Sequence, residues 1–316
     1  MALSVIGFYN GLNEQARGYT YLRRYGSLLD YLAIFQISIK DNGELSGELS
    51  RGLVQDAHRL GAKVLPVFSN LTAQGQFSTS VITRLINDPQ FAAVVWRNLL
   101  NYVLQYQCDG VNLDLERANP SDRSLFSQLV QDWGERFHKQ NLFVSMDVPA
   151  KFADEPAKAW TGAFDYAQIA RGLDAAVIMT YEEHWPGSQP GSVASLTWVN
   201  RVLDFALANM PASKIYMGLP LYGYDWTEGN GAQVVSYRRA LELASRFGVP
   251  LRWDDQQSST YFIYESRGRK HTVYFEDPGS IRLKLDLAQR KGIKGVAVWE
   301  MNLSYPEFWE VLKDYV

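Results

Sequence analysis

Asp109-Gly110-Val111-Asn112-Leu113-Asp114-Leu115-Glu116 is the stretch on which the reading of this chain turns. Side chains of a β-strand alternate between two faces with a period of two. Asn112, Asp114 and Glu116 therefore share one face, and Val111, Leu113 and Leu115 share the other. The apolar face suits a layer of packed helices, which leaves the polar face pointing into whatever the sheet encloses. Buried polar groups without partners would each cost about 1–3 kcal/mol there. Three of them on one inward face point to function. The alternatives are a structural hydrogen-bond network or an exposed strand end.

Working outward, short apolar or alternating runs recur at 4–10, 31–39, 63–69, 142–148, 175–181, 214–220 and 295–301, which with 110–116 makes eight strands. Amphipathic stretches separate them, as at Val81 to Gln105 and Ser124 to Lys139. The Asp88-Pro89 step is expected to break the first near its start, because a residue before proline avoids helical geometry. Ser121 and Asp122 are candidate caps for the second. This alternation predicts an α/β fold, a (β/α)8 TIM barrel, whose active sites lie at the C-terminal ends of the strands. Glu116 falls at such an end. Residues 226–279 are too long for a single βα step between the seventh and eighth strands. Val234 to Phe247 reads as a helix, and Tyr261–Tyr264 and His271–Phe275 read as strands flanking the turn Ser266-Arg267-Gly268-Arg269. A small α+β insertion on the barrel rim is expected. No repeat or linker divides the chain, so 1–316 reads as one catalytic domain containing that insertion.

Composition narrows the function. Acidic and basic residues are mixed along the 316 residues and the net charge is −3, which gives no basic footprint for nucleic acid. No apolar stretch approaches the ~20 residues of a membrane span. Cys108 stands alone, so no internal disulfide forms, and a buried thiol is expected. The chain opens directly into the strand Ser4–Tyr9, with no signal peptide visible. Nine Trp, eighteen Tyr and fifteen Phe, several of them near strand ends, offer flat faces for sugar rings or filling for a large core. His58, His138, His184 and His271 are scattered without ligand spacing, so neither a metal nor another cofactor is expected.

The segment 109–116 resembles the DGxxDxDxE signature of family 18 glycoside hydrolases, the chitinase-like family. Asp109, Gly110, Asp114 and Glu116 match it, and Asn112 stands where many chitinases carry Asp. Met179-Thr180-Tyr181 resembles the family's sixth-strand motif and Gly218-Leu219-Pro220-Leu221-Tyr222-Gly223 its seventh. Trp299 matches the tryptophan under the sugar site, and 226–279 falls where many members carry an insertion. Glu182-Glu183-His184-Trp185, Pro190–Ser195 and His271–Asp277 resemble the bacterial spore and cell-wall branch, typically peptidoglycan N-acetylglucosaminidases. The resemblance implies a poly- or oligosaccharide substrate containing N-acetylglucosamine and an extracellular, cell-wall or spore-associated place of action. A monomer is expected.

It also implies a mechanism in which the substrate's own 2-acetamido group is the nucleophile, an exception to the usual pair of carboxylates. Glu116 would be the acid and then the base. Asp114 would hold the acetamido N–H, Tyr181 would donate to the acetamido oxygen, and Trp299 would cover the sugar's apolar face. Asn112 and Asp109 within the motif, and Met179 beside Tyr181, are candidate substrate contacts. Asp147 and Glu182 read equally as contacts or as rim carboxylates, and Tyr9 and Tyr222 as cleft or core. Asn112 hydrogen-bonds but cannot exchange charge, which implies a shifted pH optimum. Lectin-like relatives usually lack the acid. Glu116, Asp114 and Tyr181 are all present here, which favours hydrolysis.

Overall fold

The computed structural model describes residues 2–316. Its first strands are β1 (Ser4–Asn10), β2 (Tyr31–Ile39), the two-residue β3 (Leu45–Ser46), β4 (Lys63–Ser69), β5 (Gly110–Asp114), β6 (Phe143–Pro149), β7 (Ala175–Met179) and β8 (Ile215–Pro220). Five more, β9 (Tyr222–Thr227), β10 (Ala232–Ser236), β11 (Arg252–Asp254), β12 (Ser259–Ser266) and β13 (Arg269–Phe275), form a separate antiparallel sheet. With β14 (Gly295–Trp299) the chain returns to the first sheet. There β1, β2, β4, β5, β6, β7, β8 and β14 pair in parallel in that order, and β14 pairs with β1 to close the barrel.

Alternation sorts the side chains as expected. Ile6, Phe8, Ala33, Val67, Ala175, Val177, Tyr216 and Ala297 fill the barrel, and Tyr31 stacks on Phe143 at 4.4 Å near its N-terminal end. Val111, Leu113 and Leu115 face outward into the main core with Phe126 and Val130. Helix Thr79–Asn87 stops at Asp88, whose carboxylate accepts from the backbone N–H of Gln90 and Phe91 and so starts helix Pro89–Tyr106. The capping expected of Ser121 and Asp122 does not occur. Both lie in a 3-10 turn before helix Arg123–His138, and the Asp122 carboxylate accepts from Asn119 and Ser121 instead. Cys108 is buried. Among the described residues no helix is long and apolar enough to cross a membrane.

The insertion starts earlier than position 226. Its sheet opens at Tyr222, one residue after β8, and closes at Phe275; the following helix, Pro278–Lys291, packs on the barrel through Ile281, Leu285 and Ala288. The insertion's own helix begins at Tyr237 rather than Val234. Ala232–Ser236 pair with β9, and the Ser236 hydroxyl caps the helix by accepting from Arg239 N at 3.2 Å. Ala240, Leu243 and Ala244 of that helix cover Phe262, Val273 and Phe275 on one face of the sheet. Tyr222, Tyr224, Trp226 and Tyr274 cluster on the other.

Candidate active site

Strand β5 can pass close to β6 because position 110 is glycine. A Cβ there would lie 2.1 Å from the carbonyl oxygen of Phe143. The ladder ends at Asp114, so Leu115 and Glu116 leave the sheet at the barrel mouth. Asn70, just after β4, holds that exit. Its Oδ1 accepts from Glu116 N at 3.0 Å, and its Nδ2 donates to Glu116 O at 2.8 Å and to Ser78 O at 3.0 Å. Both backbone groups of Glu116 are thus fixed by one buried side chain. Below them Asn112 is fully buried, and its Nδ2 donates to Ser145 Oγ at 3.0 Å and Asp147 Oδ1 at 3.2 Å.

Three carboxyls therefore gather at low exposure: Asp114, Glu116 and Asp147 are all buried. Burial disfavours a charged carboxylate, and a neighbouring negative charge adds to the effect. Glu116 is raised by burial first and by the charge of Asp114 second, with Arg117 opposing. A side-chain hydrogen bond between the two raises Glu116 and lowers Asp114, while burial raises both. Asp147 is raised by burial and then by Asp114, against the hydrogen bond from Asn112. A protonated carboxylic acid beside a carboxylate is what general-acid chemistry near neutral pH requires.

Tyr181 also lies just past its strand, with its N–H turned back to Met179 O at 2.8 Å. A Cβ at Gly218 would stand 2.8 Å from the Tyr181 ring, so glycine on β8 makes room for it. Burial followed by the charges of Asp147, Asp114 and Glu116 pushes its hydroxyl well above the usual phenol range, which keeps it a donor. Trp299 ends β14. Its ring is braced edge-on by Phe8 at 5.6 Å and Phe35 at 5.3 Å, and it lies between the barrel interior and the aromatic face of the insertion. That face forms a wall of edge-to-face rings, Tyr222 to Tyr224 at 5.6 Å and Tyr224 to Trp226 at 5.4 Å, and Tyr181 meets Tyr222 at 6.5 Å. Glu182 accepts from the hydroxyls of both Tyr222 and Tyr224, tying the loop after β7 to the wall.

A family model, glycosyl hydrolases family 18, matches residues 7–303. The chain belongs to this family. It is similar to the cortical fragment-lytic enzyme of Bacillus subtilis, 30% identical over 302 residues, covering 92% of this chain and 69% of that one. Among solved structures, the spore cortex-lytic enzyme SleL of Bacillus megaterium superposes with a TM-score of 0.92 at 27% identity, over 100% of this chain and 75% of that one. A chitinase from Chromobacterium violaceum gives 0.91 at 26% identity, over 99% and 98% of the two chains. The protein is a family 18 glycoside hydrolase, with relatives in the spore-lytic branch.

Against this family 18 frame, several candidate residues lie away from the barrel mouth. Asp109 precedes β5, roughly 16 Å from Asp114 at the usual strand rise. It accepts there from Val64 N at 2.7 Å and pairs with His58 Nε2 at 2.8 Å, so it pins the barrel's N-terminal end and touches no cleft. Tyr9 points outward into the main core with its hydroxyl on Asn13 O, because it shares the face of Val5 and not that of Phe8. Asn112 supports Asp147 from below and is closed to solvent, so it is no direct contact. Asp147 is buried, which removes the rim alternative, whereas Glu182 is an exposed rim carboxylate. Met179 is half-buried at its strand end. Two residues escaped the sequence reading. Asn70 carries no pattern of its own. Glu300, directly after Trp299, is a buried acid that burial pushes up to about 7, and its position past a barrel strand was the available signal.

Two outcomes follow for this family 18 site. Asn112→Asp adds a fourth carboxyl to the buried cluster, so the pKa of Glu116 should rise and the basic limb of the kcat profile should move to higher pH by about half a unit or more. An unchanged profile would refute the coupling. Asn70→Ala strips partners from two backbone groups of Glu116. We expect kcat to drop about 10–100-fold with KM little changed, from misplacement of the acid. We also expect a stability loss of about 2 kcal/mol or more by urea unfolding. A variant with wild-type kcat would show that Asn70 does not position the acid.

Proposed function

We propose that the protein cleaves β-1,4 linkages in N-acetylglucosamine-containing glycans with retention of configuration, using the substrate's acetamido group as nucleophile. The observation that carries the reading is the contact between Asp114 and Glu116. A pair made of a nucleophile and an acid flanks the scissile bond about 5 Å apart. Here the two carboxyls share one hydrogen bond on one side of the mouth, with Tyr181 nearby. The proton of Glu116 passes to the glycosidic oxygen as the C1–O bond breaks. The acetamido oxygen bonds to C1, giving an oxazolinium ion, while Asp114 holds the acetamido N–H and Tyr181 donates to the acetamido oxygen. Water then adds to C1, giving a proton to the Glu116 carboxylate as the C1–O bond of the ring opens. Trp299 supports the sugar face.

Peptidoglycan, the spore cortex in particular, is the favoured polymer, on the strength of the similarity to the cortical fragment-lytic enzyme. The cleaved unit is N-acetylglucosamine, since the lactyl ether of the muramic sugar adds bulk beside the acetamido group. That polymer places the activity outside the cell or at the spore. The test is release of reducing sugar from cortex peptidoglycan and from chitin oligosaccharides, with the first-formed anomer read by NMR. Initial release of the β-anomer supports the mechanism and initial α-anomer overturns it. Binding without cleavage would make the protein a lectin.

A further inference from the structure

The face of the insertion turned away from the aromatic wall holds a cavity of about 730 Å³. Asp225 and Thr227 of β9 enter it, alternating with the wall residues Tyr224 and Trp226. At its base Asp225 is nine-tenths buried and fully engaged: it accepts from Tyr264 Oη at 2.6 Å and pairs with His271 Nδ1 at 2.9 Å. Around it stand four guanidinium groups, Arg239 and Arg246 from the helix Tyr237–Phe247 and Arg267 and Arg269 from the hairpin between β12 and β13.

These four charges are poorly matched. Arg239 has one carboxylate neighbour, Glu242 at 3.4 Å on the exposed helix surface. Arg246, Arg267 and Arg269 pair with no carboxylate among the described residues. The chain as a whole is acidic, at −3, so this concentration of arginine is local. Beside it stands a column of stacked rings, Phe247 on Tyr264 at 4.4 Å and Tyr264 on His271 at 4.4 Å. Guanidinium groups match carboxylates through paired N–H donors, and a pocket of this size takes a body as large as a small oligosaccharide or peptide.

We propose that this cavity is a second binding site that takes carboxylate groups borne on a glycan, either on its sugars or on short peptides attached to them. The proposal rests on the glycan-cleaving reading of the barrel. An acidic stretch of the polymer is held on the back of the insertion while a neutral acetamido sugar occupies the mouth. The site would add affinity for charged wall fragments and none for neutral oligosaccharides.

The test uses the full chain carrying Glu116→Gln, so that binding is read without cleavage. Calorimetric titrations compare soluble peptidoglycan fragments with free carboxylates, the same fragments with the carboxylates amidated, chitotetraose, and inorganic phosphate. Each is repeated with Arg246→Gln and Arg269→Gln added; both side chains are exposed, so the fold should tolerate them. We expect the carboxylate-bearing fragments to bind at least tenfold more weakly to the double variant. We also expect their affinity for the unaltered arginines to fall with salt, while chitotetraose and the amidated fragments are held equally by both proteins. Equal affinity of the charged fragments for both proteins overturns the proposal. Arginine-dependent binding of phosphate, with no arginine dependence for the carboxylate fragments, overturns it too. If wild type neither binds nor cleaves chitotetraose, the reading of the barrel fails, whereas the arginine dependence is scored independently.

Discussion

Glu116→Gln is expected to leave a folded protein whose kcat on an N-acetylglucosamine oligosaccharide is lower by about three orders of magnitude, within the range that a positioned acid contributes. The amide keeps the shape of the side chain and the backbone clamp from Asn70, which holds only main-chain atoms of residue 116. In the proposed mechanism it removes the proton that would pass to the leaving oxygen. KM should change little, because the wall and Trp299 are untouched. A variant keeping a tenth of wild-type kcat would remove Glu116 from its role.

The second large effect is expected at Asp114. After burial, its charge does most to raise the pKa of Glu116. Asp114→Asn removes that charge, so Glu116 should lose its proton at lower pH and the basic limb of kcat should move toward acid. In the proposed mechanism the same change also removes the negative charge that would stand beside the oxazolinium, and loss of one preorganised electrostatic partner typically costs about 10²–10³ in kcat. The two effects separate in a pH profile: a fall in the plateau reads the lost stabilisation, and the displaced limb reads the coupling. A lowered plateau with an unmoved limb would mean that Asp114 does not tune the acid.

How much of this was legible in the sequence depends on the range of each interaction. The eight barrel strands follow from period and length, which are local. The alternation of 109–116 also gave the correct facing of Asn112, Asp114 and Glu116. What it could not give is where the ladder stops. Glu116 leaves the sheet because Asn70, forty-six positions away in the chain, binds its backbone, and no local pattern marks that partner. Asp109 and Tyr9 erred in different ways. Asp109 belongs to the motif but sits at the other end of its strand, and Tyr9 lies at the correct end on the outer face. The opening strand of the insertion was hidden because Tyr222–Thr227 runs on from β8 after a single residue. The arginine-lined cavity draws on three separate segments that meet only in the folded sheet.

The buried carboxyls also bear on folding itself. Asp114, Glu116 and Asp147 bind protons more tightly in the folded chain than in the unfolded one, and Glu300 is pushed up to about 7. A folded state that holds the extra protons is favoured at low pH. Its advantage is intact below the unfolded pKa of about 4 and fades as pH climbs through the raised folded values. Urea midpoints should therefore be higher at about pH 5 than at about pH 8, and the difference should shrink in Glu116→Gln. Equal midpoints would contradict the linkage. The protein is thus expected to take up protons as it folds near neutrality, and the conditions that ionise its acid also loosen the barrel around it.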